Sequence, residues 1–300
     1  MSRRKVQLIP LVSILLAFGP FGPPASGKEP GSMPVLQVDH IMIRADDPAK
    51  LYAFFHEVLQ LPIAWPLATR GRVTSGGVGF GNVNVEAIHF PEQTPSDAQL
   101  VGFGFEPAPL AQCLGELDRR GITYGDPRPF VMTEANGSKR TLFTNVTLRQ
   151  FSDADRPATA TVHIFLSEYS PTYLDVEQRR ERLRRAVRES GGGPLGVMAV
   201  QEVILGATDW PGATALWEKL LAPRRPSAPG RWQVGDGPAI RVVRAVDNRP
   251  QAFVIGVGSL PRARAFLHEK GLLGSVSEHE ITIDPSRIQG LDIRLRETKE

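Results

Sequence analysis

Three side chains of metal-ligand type, His40, Glu86 and His163, fall on one face when their segments are read as strands. Neighbouring residues in a strand point to opposite sides. In "VDHIMIRA", Ile41, Ile43 and Ala45 share the apolar side, and Val38, His40, Met42 and Arg44 share the other. In "NVNVEAIHF", Val83, Val85 and Ala87 are apolar, with Asn84, Glu86 and Ile88 opposite. In "TVHIFLSEY", Val162, Ile164 and Leu166 are apolar, with Thr161, His163, Phe165 and Ser167 opposite. Two histidines and a carboxylate are the donor set of many zinc, iron and manganese sites, with positions left for water or substrate. Such an ion lowers the pKa of bound water and stabilises developing enolate charge. Glu86 could also act as a base. Arg44 and Asn145 fall on the same face by parity and could orient an anionic or carbonyl group.

Each residue also has a plainer reading. A single strand histidine is more often a hydrogen-bonded structural group. Glu86 could pair with Arg44, and His163 could cover a rim. Glu168 falls on the opposite face and is a second choice as ligand. Other motifs are weaker. "HEVLQ" at His56 has Gln60 where a metalloprotease helix needs its second histidine. "GGVGFGN" precedes a strand, so its glycines suit tight curvature better than phosphate binding. Cys113 is the only cysteine and excludes an intrachain disulfide; its place on a helix stripe reads as a small buried hydrophobe. His89, His268 and His279 look isolated.

The elements that must position these residues repeat. "VDHIMIRADDPAKLYAFFHEVLQLP" and "VQEVILGATDWPGATALWEKLLAP" both read as strand, Asp-led turn, helix and closing proline. Asp47 and Asp209 are the expected caps, with Pro48 at a first helical position. Leu51, Phe54, Phe55, Val58 and Leu59 make one apolar stripe. "LVGFGFEPAPLAQCLGELDRRGI" and "AFVIGVGSLPRARAFLHEKGLL" form a second pair, closed by Gly121 and Gly271. Four β-α-β-β-β modules in two pairs follow, an α+β fold with domains over 35–169 and 197–296. Between them, residues 172–196 read as a charged, solvated helix and a glycine-rich hinge, "GGGPLG". Glu202 occupies the position of His40, 162 residues on, with Arg241, Asp292 and Arg294 as possible partners. The second domain reads as metal-free, structural or accessory.

With those segments in view, the chain resembles the vicinal oxygen chelate superfamily in its glyoxalase-like branch. The resemblance is carried by "VDHIMIRADDPAKLYAFFHEVLQL" and "GGVGFGNVNVEAIHF", and it is weaker in the second half. It implies paired modules whose sheets curl around a cup. It also implies one divalent metal (Zn, Fe, Mn or Ni) held by His40, Glu86 and His163, and a lyase, isomerase or dioxygenase chemistry on a small oxygen-rich metabolite. The sequence departs from the family at two ligand positions. "LVGFGFEP" carries no His or Gln, and Phe165 stands where a glutamate is usual. A metal-free small-molecule binding protein on the same fold is the alternative, and an interaction scaffold with filled cups is a third.

The N-terminus reads as an export signal over residues 1–27. Arg3, Arg4 and Lys5 precede an apolar stretch, Val6 to Phe18, too short for a comfortable membrane span. The expected location is periplasmic or extracellular, without stable membrane insertion after cleavage. The chain has 35 basic and 32 acidic residues; setting aside the three basic ones in the signal leaves a neutral remainder. Charge therefore gives no reason to expect nucleic acid as a partner.

Overall fold

The computed structural model describes residues 33–91, 97–134, 136–152 and 163–298. The proposed signal and residues 161 and 162 lie outside them. Alternating aliphatics build strand β1, Val35–Arg44, with Ile41 and Ile43 fully buried. Asp47 then caps helix α1, Pro48–Ala53, by accepting from the Lys50 N–H at 3.0 Å. The helix continues as a π-turn, Phe54–Val58, closed by the Leu59 N–H to the Phe54 carbonyl at 3.0 Å. The wider turn changes the expected stripe. Leu51, Phe55 and Leu59 point inward, whereas Val58 is 37% exposed.

Strands β2 (Ile63–Arg70), β3 (Val73–Gly79) and β4 (Asn84–His89) complete the first module. The second contains β5 (Gln99–Pro107), α2 (Leu110–Arg120), β6 (Arg128–Thr133), β7 (Lys139–Thr147), the short α3 (Arg149–Ser152) and β8 (His163–Tyr169). Together they form an eight-stranded sheet in the order β2-β3-β4-β1-β5-β8-β7-β6. Its centre is the antiparallel β1–β5 pair, with β4 parallel to β1 and β8 parallel to β5. Cys113 lies buried on α2, and burial pushes its thiol up to about 12.

Helix α4, Val176–Glu189, follows. It is not solvated all round: Arg179, Leu183 and Val187, four residues apart, form a buried stripe. The glycine-rich turn after it is packed rather than an open hinge. A Cβ on Gly193, which has φ +63°, would lie 2.1 Å from the Leu59 carbonyl oxygen. Arg262 donates to the Gly193 carbonyl at 2.5 Å and the Pro194 carbonyl at 3.2 Å.

The second half has β9 (Val197–Ala207), α5 (Trp210–Leu221), β10 (Arg231–Gln233), β11 (Ala239–Arg244), β12 (Pro250–Val257), α6 (Leu260–Glu269), β13 (Leu273–Val276), β14 (Ile281–Ile283) and β15 (Ile293–Glu297). Its sheet runs β10-β11-β9-β12-β15-β14-β13. Among the described residues, its first module has two strands after the helix where three were expected. The duplication is otherwise exact in register. His40 faces Gly104 as Glu202 faces Val254, and the same three register shifts interrupt both central pairs. One apolar core joins the halves: Phe80 lies edge-on to Phe55 and Phe253, with centroids 5.4 and 6.2 Å away. The fold is thus α+β, built from tandem βαβββ-type modules. No helix among the described residues is long and apolar enough to cross a membrane.

Candidate functional site

The site begins with an irregularity in β1. Val38 faces Phe105 and His40 faces Gly104 on β5, so Asp39 is the extra residue of a β-bulge. Parity fails there. Val38, expected on the cup face, belongs to the main core. Asp39 and His40, which strict alternation would separate, meet through Oδ2 and Nδ1 at 2.6 Å. Asp39 is buried, ion-paired with Arg179 of α4, and accepts from the Tyr169 hydroxyl at 3.0 Å. The Arg179 guanidinium also stacks on the Tyr169 ring, 5.0 Å from its centroid. Burial alone would raise the Asp39 carboxyl. The Arg179 charge and the His40 and Tyr169 hydrogen bonds outweigh it and hold the group at about 2.

With Nδ1 held by Asp39, the His40 Nε2 lies 3.7 Å from the Glu86 Oε2 on β4. Burial lowers the His40 pKa, but the hydrogen bond and charge of Asp39 and the charge of Glu86 win and raise it. Burial raises Glu86, against the opposing effects of His40 and a hydrogen bond from Ser75. The ring occupies space that a side chain on β5 would need: a Cβ on Gly104 would lie 2.5 Å from the His40 Cε1. Phe165 and Trp65 close around it edge-on, with centroids at 5.3 and 6.1 Å. Next along the same face is a small apolar cluster of Met42, Ile88 and Phe165.

The other candidates have positions or partners of their own. His163 starts β8, its ring 5.2 Å from that of Phe165, and burial and the His40 charge both lower its pKa. Among the described residues, no three His, Cys, Asp or Glu side chains converge on a point that could hold a metal ion. Arg44 donates to the Gln99 Oε1 at 2.8 Å and lines a different cavity. Asn145 pairs in register with Ser167, and its buried Oδ1 has no hydrogen-bond partner among the described residues. Glu168 caps α2 by accepting from the Leu110 N–H at 2.8 Å. His56 bonds to the Leu61 carbonyl at 2.8 Å, and His89 to that of Ala45 at 3.2 Å.

For a divalent metal the fit is partial. The His40–Glu86 separation is close to the roughly 3–3.5 Å between two ligand atoms on one ion, and a carboxylate on the other imidazole nitrogen is usual for metal-binding histidines. The third position fails, because Gly104 offers no side chain and Phe165 offers a phenyl ring. Among the described residues, two ligand positions of such an ion are filled and not three.

The second sheet shows the same face with its charges exchanged. Registers place Glu202 at the position of His40 and Arg241 at that of Glu86. Glu202 is buried and bonds Arg296, Arg231 and Arg241 at 2.7, 3.1 and 3.3 Å. Arg294 turns instead to Asp292 at 2.7 Å. Burial raises the Glu202 pKa, but the Arg296 and Arg231 hydrogen bonds lower it further. This face is an ion network around one buried carboxylate.

No protein-family model matches the chain, and no curated protein does. Solved structures match in fold. A hypothetical protein from Staphylococcus aureus has TM-score 0.56 and 9% identity, covering 87% of this chain and 99% of that one. Homoprotocatechuate 2,3-dioxygenase from Arthrobacter globiformis has TM-score 0.56 and 13% identity, covering 91% and 83%. The Brevibacterium fuscum homoprotocatechuate 2,3-dioxygenase, in complex with 3,4-dihydroxyphenylacetate, has TM-score 0.56 and 14% identity, covering 91% and 84%. At these identities the likeness is one of architecture alone.

Proposed function

We propose that the first sheet binds a small, partly apolar, oxygen-bearing organic molecule at His40 and Glu86, without a metal held by the protein. One observation carries this reading: a histidine fixed by a buried carboxylate faces a second carboxylate at 3.7 Å, beside an apolar cluster. In this site the Nε2 of His40 and the carboxyl of Glu86 hold one proton between them and present it, or accept it, at a ligand oxygen. Burial strengthens that hydrogen bond. Trp65 and Phe165 pack against the apolar part of the ligand and keep water from the pair. The complex of the Brevibacterium fuscum enzyme with 3,4-dihydroxyphenylacetate supports a small organic ligand for this architecture.

A second reading, a divalent ion on His40 and Glu86 with the ligand completing its shell, is favoured by their spacing and by Asp39 behind the ring. One experiment separates the two. Purified protein is titrated calorimetrically with a catechol acid such as 3,4-dihydroxyphenylacetate, with EDTA and then with Zn, Mn, Ni or anaerobic Fe(II). Binding that survives chelator and is lost in Glu86→Gln supports the first reading. Binding that requires metal supports the second, and equal behaviour of wild type and variant sinks both. Action outside the cytoplasm, read from residues 1–27, belongs to the same proposal. The mass of the mature N-terminus tests it.

A further inference from the structure

Arg231 and Arg241 stand directly opposite each other on β10 and β11. Like charges so placed repel. The carboxylate that bridges them is Glu202: its Oε2 accepts from the Arg231 Nε at 3.1 Å, and its Oε1 from the Arg241 Nη1 at 3.3 Å. The same Oε1 also accepts from the Arg296 Nη1 at 2.7 Å. One carboxylate is thus shared among three cations. Arg296 has a further acidic partner, Glu280, at 2.7 Å. Arg294 is neutralised by Asp292 and reaches Glu280 only at 3.9 Å. Set against every carboxylate they touch, four guanidinium groups meet three. The charge left over lies with Arg231 and Arg241, whose one acidic partner among the described residues is Glu202.

The same arginines have donors to spare. Arg231 spends Nε on Glu202 and Nη1 on the Ser227 hydroxyl at 2.9 Å. Its Nη2, the Nε and Nη2 of Arg241 and the Nη2 of Arg296 have no acceptor among the described residues. The three side chains are 30–42% exposed, so these N–H groups are within reach of a molecule in solution. A small apolar cluster lies in the same rows of the sheet. Ile204 is in register with Arg241, Val254 is in register with Glu202 and Arg294, and Ala252 packs with both.

We infer that this face of the second half binds a small phosphate monoester, its phosphoryl group on Arg231, Arg241 and Arg296 and its organic part on the apolar cluster. A phosphate monoester brings three acceptor oxygens and more than one negative charge, whereas a carboxylate brings two oxygens and one charge. Planar guanidinium groups pair with two such oxygens at once. The buried Glu202 holds the arginines before a ligand arrives, so less side-chain freedom is lost on binding. None of these groups belongs to the site proposed at His40 and Glu86.

The test uses the full chain in phosphate-free buffer. Phenyl phosphate and benzoate are titrated by calorimetry into wild type, Arg231→Gln/Arg241→Gln, Arg249→Gln and Glu86→Gln. Phenyl phosphate is expected to saturate wild type with a Kd below about 1 mM, and benzoate to bind at least about tenfold more weakly. The double variant should lose at least about tenfold in affinity for phenyl phosphate. Arg249→Gln, which removes an exposed arginine outside the cluster, and Glu86→Gln should bind it as wild type does. The inference is overturned if phenyl phosphate does not saturate, if benzoate binds as well, if the double variant binds normally, or if either of the other two variants loses binding. Arg241→Gln alone, at the most exposed of the three side chains, should still weaken binding and keeps the measurement possible if the double variant does not fold.

Discussion

Asp39 and Arg179 are the pair on which the geometry of His40 depends. Both are buried, one at the bulge of β1 and the other on α4. Removing one partner of a buried pair leaves an uncompensated charge and costs about 3–5 kcal/mol, whereas removing both costs much less. Arg179→Met is therefore expected to lower unfolding free energy in urea by about that amount. Arg179→Met/Asp39→Asn should recover most of the loss, because the stranded carboxylate is gone. A single variant within about 1 kcal/mol of wild type would show that the contact carries no such weight. The double variant also loses the carboxylate on the His40 Nδ1, so the His40 pKa should fall, as NMR titration would record. The sequence held a sign of this pair. Arg179 stands four residues before Leu183 and eight before Val187, so an arginine completes the buried stripe of an otherwise charged helix.

At the scale of the strand, the spacing of β1 and β5 fixes where the histidine ring can lie. His40 rests over Gly104, and a Cβ there would meet Cε1 at 2.5 Å and Nδ1 at 2.9 Å. Gly104→Ala is expected to push the ring off Asp39, at an overpacking cost of about 1–3 kcal/mol. A changed His40 ¹⁵N signal with retained far-UV circular dichroism is the expected result. An unchanged signal would mean that the backbone gives way instead. This element also shows why part of the site was legible and part was not. Alternation placed His40, Met42, Glu86 and Ile88 on one face, because apolar and polar residues take turns in β1 and β4. It misplaced Val38 and missed Asp39, because a bulge shifts parity by one residue and nothing in "VLQVDHIMIR" marks which residue is extra. The repeat was legible through its caps and glycines, and Asp47 and Asp209 cap as the sequence implies. The π-turn was not, since its five-residue bonds depend on packing that the pattern of apolar residues does not encode.

For the whole molecule, duplication has produced two copies of one backbone with opposite electrostatics. The first keeps a histidine and a carboxylate facing each other beside apolar groups. The second gathers Arg231, Arg241 and Arg296 onto the buried Glu202. The arginines lower the folded-state pKa of Glu202 below its ordinary value of 4.5. Its ionised form therefore stabilises the fold fully above that ordinary value, and the contribution disappears as pH falls through the folded-state pKa. Glu202→Gln should destabilise the protein at about pH 7 by about 1–3 kcal/mol, less than a fully buried pair because the arginines are partly in water. The gap to wild type should narrow as urea denaturation is repeated toward about pH 3. A gap that stays constant with pH would mean that Glu202 acts by packing and not by charge. The same variant tests how far the copies act alone. Sites well separated and without shared partners add independently, so the His40 NMR signals should not move. If they do, the second sheet is coupled to the first through the apolar core that joins Phe80 to Phe253.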